Sequence, residues 1–247
     1  MVRRRPHHRA LQDARHVRRF GAPSLDSQIN ILLGLICYTY PFAPHAGNRL
    51  ARTHSLPNVA RLPLFNNGFG DDGMRALCGE LGRGSLPSLV ALAVGGNDIG
   101  ASGAASLGGA LGEGALGALE SLSLTGNAIG DKGLAALGAP LRKLRRLDSL
   151  SLINNQIGDA GVRALLDPVD GPLPALTTLY LQNNAVGDAG CRALATAIDA
   201  GESGVLPALR CVSVSGNPAG NAALAAVTEA VARACRRDEQ QAVAWQQ

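Results

Sequence analysis

Leucine, valine and isoleucine alternate with small or polar residues in short bursts that recur along most of the chain. At 122–124 the reading is L-S-L, followed by T-G-N-A-I-G-D; at 150–152 it is again L-S-L, followed by I-N-N-Q-I-G-D. Alignment on the asparagine after each burst gives six copies, marked by Asn67, Asn97, Asn127, Asn155, Asn184 and Asn217, with separations of 30, 30, 28, 29 and 33 residues. Upstream of each stand Leu62 and Leu64, Leu92 and Val94, Leu122 and Leu124, Leu150 and Leu152, Leu179 and Leu181, Val212 and Val214. Alternation at period two predicts a short strand with one buried face. Ten residues after each asparagine comes an apolar anchor, Leu77, Leu107, Leu137, Leu165, Leu194 or Val227, on a stretch whose composition predicts a helix.

The columns between strand and helix carry mechanical expectations. Gly70, Gly100, Gly130, Gly158, Gly187 and Gly220 are each expected to take a left-handed or tightly bent conformation, which costs a residue with a Cβ about 1–2 kcal/mol. Asp71, Asp131, Asp159, Asp188 and Asn221 follow directly, where each is expected to cap its own helix. The second copy has Ala101 there, so its helix is expected to begin less firmly, with Ser102 as substitute cap. Three residues after that glycine stands a second one, replaced by Ala223 in the sixth copy, and expected to let the helix lie close to the strands. Pro63 lacks the N–H of a central strand and places the first strand at a sheet edge.

The pattern resembles the leucine-rich repeat, L-x-x-L-x-L-x-x-N, and N-x-I-G-D-x-G-x-x-A-L at a period of about 29 residues is similar to its ribonuclease-inhibitor-like class. The resemblance implies an α/β fold: a leucine-rich repeat solenoid in a short curved arc, with about six strand-helix repeats. A parallel sheet would line its concave face and helices its convex face. It covers 56–231, leaving 1–55 as a basic leader and 232–247 as a C-terminal cap or tail. It also implies that Asn67, Asn97, Asn127, Asn155, Asn184 and Asn217 form a ladder, their side chains satisfying backbone groups of neighbouring coils. A single coil cannot bury its apolar edge, whereas a stack can.

Charge and chemistry narrow the function. Residues 1–55 hold nine Arg and two Asp, a balance of +7, which leaves −3 for the remainder; all five histidines lie in the same leader. The repeats therefore offer no imidazole for a triad, proton shuttle or metal site. Five scattered cysteines without C-x-x-C signal neither a disulfide framework nor zinc. Residues 68–73, G-F-G-D-D-G, match a dinucleotide fingerprint. Yet Gly70 and Gly73 belong to the repeat columns, and Asp71 and Asp72 would repel a pyrophosphate. No catalytic constellation, cofactor or metal is expected.

The expected function is a non-enzymatic module that binds a protein partner through the concave strand face. Most positions there are small; the larger candidates for partner contact are Arg61 and Phe65 at one end and Tyr180 and Gln182 towards the other, flanked by Glu120, Asp148 and Arg210. The competing expectation is a regulator of a GTPase, since the class also resembles Ran GTPase-activating proteins, with Arg61 or Asn66 in that role. Nucleic acid is not an expected partner, no apolar run is long enough to span a bilayer, and the module is expected to be monomeric alone. Free thiols favour a cytoplasmic setting. In the leader, 29–38 is expected to pack on the first coil; the alternative makes 1–55 an organelle-targeting segment.

Overall fold

The computed structural model describes residues 58–82 and 86–244. The leader, with the apolar stretch 29–38 expected to pack on the first coil, and Trp245 lie outside the described residues. All described residues belong to one compact unit of the chain. Six strands, β1 (Arg61–Pro63), β2 (Ala91–Ala93), β3 (Ser121–Ser123), β4 (Ser149–Ser151), β5 (Thr178–Tyr180) and β6 (Cys211–Ser213), form one sheet in chain order. Every pairing is parallel, and register matches the repeat column for column: Leu62, Leu92, Leu122, Leu150, Leu179 and Val212 lie side by side. Among the described residues β1 lies at one edge of the sheet, where Pro63 is tolerated.

Each strand is followed by a helix: α1 (Gly70–Gly82), α2 (Ala101–Gly112), α3 (Gly130–Leu141), α4 (Asp159–Leu165), α5 (Asp188–Asp199) and α6 (Asn221–Ala244). The last runs unbroken across the boundary expected at 231. The core lies between the sheet and the helices. Leu92, Val94, Leu107, Leu122, Leu124, Leu137, Leu150, Leu152 and Leu165 are all essentially without solvent exposure.

The asparagine side chains link the coils. Asn97 Nδ2 donates to the carbonyls of Leu64 at 2.6 Å and Val94 at 3.0 Å, and its backbone N–H donates to Asn127 Oδ1 at 3.0 Å. Asn127, Asn184 and Asn217 repeat the double donation, to the preceding strand end and to their own. The residue before each of these asparagines is Asn or Gly in every copy, and all six (Asn66, Gly96, Gly126, Asn154, Asn183, Gly216) are left-handed, with φ from 53 to 72°. This is the position where the backbone turns from strand to helix, and it favours Gly and Asn, which enter the left-handed region at low cost.

The aspartates do not cap their own helices. Asp71 Oδ1 accepts from the backbone N–H of Gly100 at 2.6 Å and Gly103 at 2.9 Å, in the following coil. Asp131 does the same for Gly158 and Gly161, Asp159 for Gly187 and Gly190, and Asp188 reaches Gly220. Each carboxylate sits in the first turn of one helix and serves the N-terminus of the next, so a second ladder runs beside the asparagines. Here the expectation that each Asp caps its own helix is corrected. A cap needs an acceptor ahead of the helix, and the chain places one there from the neighbouring coil.

The glycine columns follow from this second ladder. Gly100, Gly158 and Gly187, which receive a carboxylate, are extended, with φ of −98, −104 and −93°. Of the left-handed or tightly bent geometry expected in every copy, the left-handed form occurs only at Gly70 (60°) and Gly130 (59°). Gly130 follows the copy whose Asp is replaced by Ala101, and no described coil precedes Gly70. The helix that lacks its carboxylate is therefore α3, not α2: Asp71 serves α2, and Ser102 is not its cap. Gly130 N–H turns instead to the carbonyl of Asn155 at 2.8 Å. Asn155 Oδ1, fully buried, is left without a hydrogen-bond partner. The second glycine column makes room for the same carboxylates: a Cβ at Gly103, Gly161 or Gly190 would lie 2.6 Å from the Oδ1 of the preceding coil.

Candidate functional site

Core formation uses the second residue of each strand and leaves the first and third on the open face of the sheet. Register sets out two columns there. One is Arg61, Ala91, Ser121, Ser149, Thr178 and Cys211; the other is Pro63, Ala93, Ser123, Ser151, Tyr180 and Ser213. The middle of the face is a floor of hydroxyls, where Thr125 Oγ1 lies 2.8 Å from Ser151 Oγ and accepts from Ser123 Oγ at 3.3 Å. Rigid backbone and short side chains make this floor shallow and preformed.

The predicted contact residues fall into separate groups. Arg61, Glu120 and Asp148 come together along one rim of the face, lining a groove with Val90, Ala91, Ser121 and Ser149. Arg146 pairs with Glu120 at 2.8 Å, and Asp148 accepts from the Thr177 hydroxyl, so both acids are oriented by neighbours. Phe65 is 50% exposed. Its ring lies against Gly95, where a Cβ would stand 3.1 Å from Phe65 Cδ1. Tyr180 is half-buried on β5, and Gln182, half-buried just beyond it, has its Oε1 enclosed without a hydrogen-bond partner.

Arg210 does not join them. It pairs with Asp238 of α6 and lines a different cleft, with Asp199 and Arg237, on the helix side of the last coil. There Arg233 donates to both carboxylate oxygens of Asp199 and holds that group below the usual carboxylate range.

Sequence reasoning passed over Val169, which is 88% exposed at the tip of a short 3-10 turn, Pro168–Asp170. Its loop is tied down by Arg142, whose guanidinium donates to the carbonyls of Gly171, Leu165, Asp167 and Gly138. Burial pushes the Arg142 pKa down, against the pull of Asp170 and Asp167. The legible signal was D-P-V-D-G between the fourth and fifth copies, strong turn chemistry around one apolar residue. Among the described residues no cluster of three or more His, Cys, Asp or Glu could hold a metal ion, and no helix is long and apolar enough to cross a membrane.

Five segments, 56–78, 85–108, 119–138, 142–166 and 174–195, match the family model described as Leucine Rich repeat. The chain is a leucine-rich repeat solenoid. Its repeat register continues past the matched segments, since Val212 of β6 pairs with Leu179 and α6 follows. No curated protein matches the chain. Among solved structures it is similar to "Leiomodin-1 Actin-Binding Site 2 (ABS2)", with 13% identity over 83% of this chain and 98% of that one, at a TM-score of 0.46. That likeness is too distant to carry a role across. What the leucine-rich repeat solenoid offers by its own geometry is an open sheet face whose side chains the core does not use.

Proposed function

We propose that this chain is a non-enzymatic interaction module that holds a protein partner on the open, concave sheet face. The observation that carries the reading is the composition of that face. A floor of small residues, Ala91, Ala93 and Gly95 followed by the Ser and Thr hydroxyls in and just after β3 and β4, runs from Phe65, half out of solvent over Gly95, to Tyr180 and Gln182, with Arg61, Glu120 and Asp148 along the rim. Aromatic and arginine anchors around a small-residue floor suit a partner that inserts its own larger side chains. A coil length near that of the ribonuclease-inhibitor-like class, with true helices on the outer layer, supports that subclass. The free thiols of Cys78, Cys191, Cys211 and Cys235 favour a reducing, cytoplasmic setting.

Site-specific photo-crosslinking tests the reading. A photoreactive residue replacing Ser123 on the open face is expected to capture a protein partner in cells, while one replacing the exposed Ala135 on the outer side of α3 is not. Tyr180→Ala and Phe65→Ala are expected to weaken the Ser123 crosslink without changing the melting curve. Capture from Ala135 alone would reject the reading.

A further inference from the structure

Six asparagines occupy equivalent places in the ladder, but their chemical surroundings differ. Asn97 and Asn155 have no solvent exposure and Asn127 has 7%, whereas Asn67, at the end of the ladder, is exposed. The residue after each also differs: Asp98, Ala128, Gln156, Ala185 and Pro218 follow the others, and Gly68 follows Asn67. Asn67–Gly68 is the single Asn-Gly pair in the chain.

We propose that Asn67 is a site of spontaneous deamidation, with Gly68 supplying the attacking nitrogen. The backbone N of Gly68, losing its proton to base, bonds to Asn67 Cγ; the Cγ–Nδ2 bond breaks and the amide nitrogen leaves as ammonia. A five-membered succinimide remains. Water then adds to one of its two carbonyls: opening at Cγ gives Asp, and opening at the backbone carbonyl gives isoaspartate, with the main chain rerouted through Cβ. Only water is consumed, and one negative charge is gained.

Local structure singles out this position on three grounds. Gly68 has no Cβ to hinder the approach of its nitrogen; its φ of 61° is close to those of Asp98 (57°) and Gln156 (60°) at the equivalent positions, so the missing side chain is what distinguishes it. Pro218 has no N–H and cannot attack at Asn217, while the side chains of Asp98 and Gln156 crowd the same approach at Asn97 and Asn155. Asn67 is also held more loosely. Its side chain makes one hydrogen bond, from Nδ2 to the Phe65 carbonyl at 3.1 Å, whereas Asn97 Nδ2 is surrounded by the carbonyls of Leu64, Val94 and Gly95.

Conversion removes the Nδ2 donor and sets a carboxylate against the Phe65 carbonyl. The isoaspartyl product also lengthens the backbone where β1 turns towards α1. Deamidation therefore loosens the end of β1 together with Phe65. This consequence for the first coil does not depend on Phe65 contacting a partner.

The test is to age the full chain at neutral and mildly alkaline pH near physiological temperature. Peptide mass spectrometry and enzymatic methylation of isoaspartate then follow each asparagine. Asn67 is expected to convert first, to both Asp and isoaspartate, and faster at higher pH. Gly68→Ala is expected to slow it by about tenfold or more. Because Gly68→Ala strains a left-handed position, Asn67→Gln provides a second variant, in which the isoaspartyl signal from this peptide disappears. Hydrogen exchange on aged protein is expected to show lost protection at 61–66 with 121–152 unchanged. Earlier conversion at another asparagine, or an unchanged rate in a folded Gly68→Ala, overturns the proposal.

Discussion

Asp131 Oδ1 accepts the backbone N–H of Gly158 at 2.6 Å, across 27 residues of sequence, so a carboxylate at the start of α3 closes the N-terminus of α4. The same oxygen takes Gly161 N–H at 2.9 Å. Asp131→Ala leaves both N–H donors without their shared acceptor and is expected to cost about 1–2 kcal/mol, the range of a lost helix cap. Urea unfolding checks this. Asp131→Asn keeps an oxygen acceptor and is expected to lose less.

Ala101 is the one position in the aspartate column where the ladder is interrupted. Ala101→Asp is expected to supply the missing acceptor to Gly130 and Gly133, draw Gly130 out of its left-handed conformation, and stabilise the fold by about 1 kcal/mol. NMR of Gly130 and of the Asn155 side-chain amide reports the rearrangement. An unchanged spectrum at both would contradict the account of the interruption.

Two glycines in helices separate packing from propensity. Gly161→Ala puts a Cβ 2.6 Å from Asp131 Oδ1 and 3.0 Å from its Cα, and is expected to destabilise by about 1–3 kcal/mol. Gly109→Ala, on α2 with nothing within 4 Å, is expected to stabilise by up to about 1 kcal/mol because only helix propensity changes. Melting temperatures of opposite shift would distinguish them.

Arg142 is buried, and its guanidinium holds four backbone carbonyls around the loop that displays Val169. Arg142→Met is expected to cost about 3 kcal/mol, since the carbonyls lose charged donors. Hydrogen exchange is expected to rise first at 165–171.

Burial pushes the Cys78 thiol from 9.0 up to about 12, and burial raises Cys191 in the same direction. The folded chain holds these protons more tightly than the unfolded chain. The stability they contribute is therefore complete below pH 9.0 and is lost as pH rises from there towards about 12. Denaturant titrations on either side of that window are expected to show the fall, and Cys78→Ala to reduce it. In the native state a thiol reagent is expected to label the exposed Cys211 and to reach Cys78 and Cys191 only on unfolding.

The repeat by itself determined that Leu62, Leu92, Leu122, Leu150 and Leu179 share one interior and that their neighbours face outward, because burial in a strand follows a period of two and needs no knowledge of the partner strand. The resemblance to a known repeat implied the ladder of Asn97 and Asn127, and the repeat columns put Glu120 and Asp148 on the flank of the strand face. That Arg61 joins them in one groove came from the structure. Where each Asp carboxylate goes was decided only by stacking. A helix-capping side chain is assigned locally when sequence alone is read, yet Asp71 finds its donors 29 and 32 residues away. The same holds for the open face. Its residue types are plain in the chain, but whether Arg210 joins Arg61 or turns to Asp238 depends on the approach of α6 to the last strand, a tertiary contact that no periodicity encodes.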